Sequence, residues 1–322
     1  MTNSTNSSPE LRFFVGGLYL LINLFGVTSY SVIVWTMIKF REDFVHPFNV
    51  LLWHLAAGDS GFLIINLLVA VPQTFVASWI YPCWLGTALA TSNGFFFFSI
   101  FQITLLIGFN RFSCVVLLTL NQFVFSYRST MGIALCTWFV SFCLTAALHA
   151  GLGCLKMFRE FRWIFVCMAP APLLCVLFKV MRGMIVLLMV EYAVLFLCMR
   201  LQSTNLLVIQ ALDSREEAQR NRRERRILVQ ATCICGMMVA NNFAFTIPPI
   251  FFSRQLANIV TTTTGTANSA INPLIFYAFN SQMREKVNSL LCISGRPSAN
   301  NAGSPKKREQ DPKVNQLHVQ EL

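Results

Sequence analysis

Apolar blocks about 20 residues long, the length an α-helix needs to cross the hydrocarbon core of a bilayer, constrain this chain more than any other feature. They fall at roughly 13–38, 48–77, 86–118, 131–153, 176–200, 226–251 and 257–279. Hydrocarbon offers a backbone no hydrogen-bond partners, so each block must close its own N–H and C=O groups as a helix. Charge is correspondingly scarce. Only 12% of the 322 residues are charged and 55% are apolar, whereas a soluble domain carries about 25% charged residues. A large soluble core would show shorter apolar runs interrupted by amphipathic stretches. The expected fold is therefore an all-α membrane protein, a seven-transmembrane helix bundle spanning 13–280, with the lipid bilayer rather than nucleic acid as its partner.

The flanks suggest an orientation. The opening MTNSTNSSPE is polar, lacks a basic flank and does not resemble a cleaved signal peptide. It carries two glycosylation sequons, at Asn3 and Asn6, and these favour an extracellular N-terminal segment over 1–12. Seven spans then put the C-terminus in the cytoplasm. Eighteen of the 25 basic residues fall on the side so predicted to be inner, as retention of positive loops requires. The segment Lys156, Arg159, Arg162, Lys179 and Arg182 runs against that trend. Its first three, Lys156, Arg159 and Arg162, are read as a solvated outer loop in preference to an attractor of anionic ligands. The apolar, proline-containing run 163–178 is open to three readings: outer loop, top of span five or re-entrant piece. Residues 213–226 are rich in charged helix formers, with Glu216 and Arg220 at a favourable i, i+4 spacing, and should extend spans five and six. After 294 the composition becomes that of a disordered tail. No internal repeat marks a transporter built from parallel halves. His46, His54, His149 and His318 are scattered, and no HExxH, GxSxG or paired-carboxylate motif occurs, so neither an enzyme nor a metal centre is expected.

Four marks in register point to a family. LAAGD ends at Asp59 in span two; Asn110-Arg111-Phe112 closes span three; Trp138 lies in span four; and Asn268-Ser269-Ala270-Ile271-Asn272-Pro273-Leu274-Ile275-Phe276 occupies span seven. Asp59 and Arg111 are 52 positions apart, Arg111 and Trp138 27. This pattern resembles the rhodopsin-like G-protein-coupled receptors, with NRF where that family has Asp-Arg-Tyr and Phe276 at the tyrosine of NSxxNPxxY. The stretch 281–293 resembles their short amphipathic eighth helix. NRF, Phe125-Ser126, and Trp163 ahead of Cys175 further resemble the nematode serpentine receptor class X chemoreceptors. The chain departs from the rhodopsin-like pattern in three places. Span one has Tyr30 and Ser31 near the usual asparagine, span six lacks the Cys-Trp-x-Pro switch, and span five has no family proline.

The resemblance implies roles. Asp59, Asn268, Ser269 and Asn272 would form a polar core able to hold a sodium ion as allosteric ligand, although the hydroxyl position of span three falls on Ile100 beside Ser99. A carboxylate in hydrocarbon must in any case face inward and find partners. Asn110, Arg111, Phe112, Asn272, Pro273 and Phe276 would be the switch that passes a signal to a heterotrimeric G protein. With Asn110 neutral, the restraint on Arg111 would be weak or come from Glu217 or Glu224. Asn93, Phe97, Phe243, Phe245, Thr262 and Thr266 would line a small-molecule site in the outer half. An asparagine at 93 disfavours a cationic amine there. The family's outer disulfide would use Cys83 with Cys175 or Cys167, and Cys154 behind them. Cys292 would suit palmitoylation. Glu191, inside span five, is read as either a functional carboxylate or an interfacial one. The function implied is a chemosensory receptor in the plasma membrane.

Overall fold

The computed structural model describes residues 8–168, 172–209 and 215–291, with no side-chain detail at 118, 122, 173 and 199–225. The sequons at Asn3 and Asn6, Glu217, Glu224, Cys292 and the tail beyond 294 lie outside what is described.

Helices dominate: α1 (Pro9–Lys39), α2 (Pro47–Val76), α3 (Cys83–Val116), α4 (Tyr127–Gly151), α5 (Pro172–Ile209), α6 (Arg215–Thr246), α7 (Arg254–Phe279) and the short α8 (Ser281–Leu290). A two-stranded antiparallel hairpin, β1 (Cys154–Arg159) and β2 (Arg162–Cys167), stands between α4 and α5. Local chemistry sets the ends. Ser8, Ser126, Ser253 and Asn280 each accept a backbone N–H of the first turn that follows, satisfying donors a helix start leaves open. Pro47 begins α2, where a missing N–H costs nothing.

Six of these helices are long and apolar enough to cross a membrane. The seventh, α7, is 26 residues long, about 39 Å at 1.5 Å per residue, yet is too polar to qualify by composition. Its polar residues explain the discrepancy. Thr261, Thr262, Thr266, Asn268, Ser269 and Asn272 are all buried against the bundle, while Leu256 and Leu274 face outward. In lipid the inward face is the one that tolerates polar side chains. The bundle is graded in the same sense. Of α2's apolar window 61% is buried, against 22% for α4 and for α5. α2 is therefore central, whereas α4 and α5 present Phe139, Phe142, Val186 and Leu197 to the surroundings.

The hairpin resolves the ambiguity over 163–178: residues 163–167 are strand and the helix of span five begins at Pro172. Cys154 faces Cys167 across the open end of the hairpin and is joined to it by a disulfide. This corrects the expected pairing. Cys83, on the first turn of α3, and Cys175 are both free and exposed. The antiparallel register sets 154 opposite 167, so the nearest partner of Cys167 is in its own hairpin. The turn residues Glu160 and Phe161 both have positive φ, 47° and 67°, as a two-residue hairpin loop demands. Non-glycine residues pay about 1–3 kcal/mol for that conformation. Here the turn is anchored from two helices. The Phe161 carbonyl accepts from Tyr19 of α1 (3.0 Å) and Thr262 of α7 (2.7 Å), and the Glu160 carbonyl accepts from Asn258 of α7 (3.0 Å).

Candidate functional site

Three groupings lie along the bundle: a cavity beneath the hairpin, a polar core at mid-length, and an arginine near the end that carries α8.

The cavity has a volume of about 370 Å³. Phe97 and Phe101 of α3, Met181 of α5, Phe245 of α6, and Thr262 and Thr266 of α7 form walls, and Lys156, Arg162 and Phe165 hang into it from the hairpin. Of the expected ligand residues it therefore collects Phe97, Phe245, Thr262 and Thr266. Phe243 is not among its walls; it is 46% exposed on the outer face of α6. Residues two apart on a helix point to nearly opposite sides, so Phe243 and Phe245 could not both face inward. Asn93 is fully buried but also misses the cavity. Its amide donates to Asn66 Oδ1 (3.4 Å), which also takes the Trp163 indole N–H at 2.8 Å. Asn66 opens a π-turn that runs to Ala70, just ahead of Pro72, and such widened turns absorb the lost backbone bond. Sequence reasoning missed Asn66, though a polar residue six positions before a helix proline was a readable signal.

The largest departure concerns Lys156. It is not a solvated loop residue: it is 8% exposed and faces inward alongside Cys154 and Phe158. Its ammonium lies 4.1 Å from the centre of the Phe97 ring, 5.8 Å from that of Phe165 and 6.0 Å from that of Phe62. Burial pushes the amine's pKa down from 10.5 to about 7, because a low-dielectric surrounding disfavours the charged form.

At mid-length Asp59 is wholly buried. Its Oδ2 accepts from the Tyr30 hydroxyl at 2.6 Å and from the Asn272 amide at 2.7 Å, with the Ser269 side chain beside the same carboxylate. Tyr30 thus supplies from α1 a donor where the family places an asparagine. Gly26 lets α1 come that close: a Cβ there would lie 2.7 Å from Leu63 and 3.0 Å from Ala270. Phe276 is fully buried and meets Tyr30 edge-on at 6.3 Å. Tyr277, next in sequence, turns the other way and donates to Asn288 of α8 at 2.8 Å. Ser99 donates to the Phe95 carbonyl. Asp59 Oδ1, Asn268 Oδ1 and Asn272 Oδ1 are buried acceptors with no hydrogen-bond partner among the described residues. A carboxylate and amide oxygens are ligands that suit a hard cation such as sodium, so the residues fit the ion the resemblance implies.

Arg111 is buried at the end of α3, 3% exposed. Its Nε donates to Asn110 Oδ1 at 3.0 Å, and Nη2 donates to the same oxygen. The guanidinium lies 4.4 Å over the ring of Phe48, the second residue of α2. Phe112 beside it is half-buried. Phe48 also lines a second cavity, about 300 Å³, with Asn49, Arg226, Phe279, Asn280 and Glu285 among its walls. Gly108, one turn before Arg111, admits α5: a Cβ there would come 2.4 Å from Leu188 and 3.6 Å from Glu191 Oε2. Glu191, only half-buried, packs at this α3–α5 contact. Its neighbour Tyr192 donates to Cys235 Sγ of α6 at 3.1 Å, and that thiol donates on to the Thr104 carbonyl of α3. This α3–α5–α6 link was not legible from motifs. Trp138 ties α4 to α2 through a bond to His54 Nδ1 at 3.0 Å.

Helix order, the central polar core and the capping hairpin define a seven-helix receptor fold of the rhodopsin type. The crystal structure of squid rhodopsin matches with a TM-score of 0.73 over 91% of this chain and 90% of that one, at 12% sequence identity; at such identity the likeness speaks for the fold alone. The sequence itself decides the family. Residues 20–280 match the model described as serpentine type 7TM GPCR chemoreceptor Srx, and the chain belongs to that family. No curated protein matches it in sequence.

Proposed function

We propose that this multi-pass membrane protein binds a small extracellular molecule in the cavity beneath the hairpin and passes the event to a heterotrimeric G protein at the end that carries α8. One observation supports this above the others: a single helix runs from the cavity beneath the hairpin through the Asp59 core to the second cavity. α7 contributes Thr262 and Thr266 to the cavity, Asn272 to the Asp59 core, and Phe279 to the second cavity beside Phe48. Between core and second cavity stands Pro273, inside the helix. Its ring nitrogen carries no hydrogen, so the Ser269 carbonyl has no i+4 donor and the helix is soft there. A helix weakened at one point and anchored at both ends can couple the two ends through two discrete shapes.

In this reading Arg111 is the group that leaves its contacts on activation. The Asn110 oxygen and the Phe48 ring are among the contacts it would give up. A sodium ion at the Asp59 oxygens would favour the resting shape. The hairpin would face the outside and the second cavity the cytoplasm, where it would receive a segment of the G protein.

The test is expression with a promiscuous G protein and a panel of small chemicals. A compound that elicits nucleotide exchange should lose at least about 90% of its effect in Arg111→Ala at equal surface expression, while its binding changes by no more than about threefold, because coupling and binding are separable free energies. An undiminished response in that variant rejects the switch role. A compound-dependent ionic current without any G protein would instead point to a channel.

A further inference from the structure

We infer that the cavity beneath the hairpin recognises an organic anion, a small molecule joining an apolar body to a carboxylate or a similar acidic head, with Lys156 as the principal counter-charge. This rests on the proposal that the cavity is the ligand site, and it specifies the chemistry of the ligand.

The charge balance of the walls carries the argument. Lys156, Arg162 and Arg182 all line the cavity, and among the described residues no Asp or Glu does. Lys156 has neither an acid nor a hydrogen-bond acceptor among the described residues; its ammonium meets only the rings of Phe97, Phe165 and Phe62. Aromatic faces attract a cation, but they offer no lone pair to the three N–H donors of an ammonium. Arg162 repeats the pattern. Its guanidinium lies 5.5 Å from the Phe245 ring, and its Nε is buried without a hydrogen-bond partner among the described residues. A buried cation is normally paired, because leaving water uncompensated is costly. Two cations aimed into one cavity without an acid form half of such a pairing.

The remaining walls define the other half of the ligand. Phe97, Phe101, Phe178, Met181 and Ile185 are apolar, and pockets of this kind hold an apolar body while a few polar groups fix its orientation. Thr262 is already committed to the Phe161 carbonyl. Asn241, whose Oδ1 is buried and unpartnered, lines the cavity from α6 and is suited to a hydroxyl or amide elsewhere on the molecule. A cationic amine is excluded by the same balance. The identity of Asn93 does not enter, since that residue faces Asn66.

Purified full-length protein in lipid nanodiscs provides the test, with thermal stabilisation as the readout and no G protein present. Matched probes share a body and differ in head: phenylpropanoate, phenylpropanol and phenylpropylamine, and octanoate, octanol and octylamine. Carboxylates should stabilise the protein, alcohols less, and amines not at all. Lys156→Met should weaken carboxylate binding by about tenfold or more, the effect of one lost charge-assisted contact, and Lys156→Arg should restore most of it. Arg162→Gln should weaken it less. The thermal midpoint of each variant without probe establishes that it is folded. Preference for the amines, stabilisation by none of the carboxylates, or carboxylate binding unchanged in Lys156→Met overturns the inference. Carboxylate binding that persists without any G-protein response would leave the anion site standing and reject the relay proposed above.

Discussion

Arg111 and Lys156 are both cations buried in an apolar bundle, and their surroundings differ. Arg111 finds a carbonyl oxygen on the adjacent residue, Asn110, and a ring, Phe48, to rest on. Lys156 finds rings alone. The first arrangement is complete within the chain; the second is complete only with something added. A buried charge thus has two meanings in one molecule. Where its donors are occupied it holds helices together, and where they point into a cavity it describes what the cavity takes.

The contrast can be broken most severely at the hairpin itself. Replacing Cys154 and Cys167 by serine removes a link between residues 13 apart in sequence, which should cost about 3 kcal/mol on loop-entropy grounds. Heating with intrinsic fluorescence should show a lower midpoint and weaker carboxylate binding. The surroundings of Arg111, at the opposite end, should be unaffected, so constitutive signalling should not rise.

Charge removal then sharpens the comparison by sign. Lys156→Met should stabilise the empty protein by about 2 kcal/mol below neutral pH, since an uncompensated buried charge disappears. Arg111→Met should destabilise it by about 1–3 kcal/mol, since Asn110 is left buried without its donor. Opposite signs are the expected outcome; equal signs would erase the distinction. The lysine's effect should also depend on pH. Its pKa is about 7 in the folded protein and 10.5 ordinarily. Below about pH 7 folded and unfolded chains both hold the proton, and the penalty is full. Between about 7 and 10.5 the unfolded chain holds more protons, so stability rises with pH. Above that range the penalty is gone. Arg162 and Arg182 are the other charged groups of the cavity. Thermal midpoints of the unmodified protein should therefore climb from pH 7 to 9 relative to those of Lys156→Met. Carboxylate affinity should fall over the same range.

The smallest effect is expected at Tyr30→Phe. It removes one of two donors from Asp59 Oδ2 and should cost about 1–2 kcal/mol. If sodium stabilises the resting shape, the variant should also show an altered dependence of thermal stability on sodium concentration at constant ionic strength.

Much of the fold was legible because a bilayer leaves few solutions: long apolar blocks had to be helices, and the spacing of Asp59, Arg111 and Trp138 set their order. Even α7, too polar to pass on hydropathy, was readable from Asn272 and Pro273. The hairpin was not. Its charged residues look like those of a solvated loop when counted together. What distinguishes Lys156 is alternation, since it shares the inward face of β1 with Cys154 and Phe158, a period of two that a tally of charges conceals. Disulfide pairing was hidden for a related reason, because a hairpin of this register could not be inferred before its strands were. Helix rotation accounts for Phe243, and Asn93 is turned toward Asn66 rather than the cavity. Both depend on a fraction of a turn, finer than block boundaries can reveal.

The phenol beside Asp59 belongs to α1, while the residue of α7 that faces it, Phe276, has no hydroxyl. The first helix is thereby moored to the same carboxylate as the last. Any swing of α7 about Pro273 must either carry α1 along or shear the contacts through which Asp59 holds both. With Tyr30 and Asn272 on one carboxylate oxygen, the first helix is a brake on the hinge of the last, and the stiffness of that brake is set by a single aspartate.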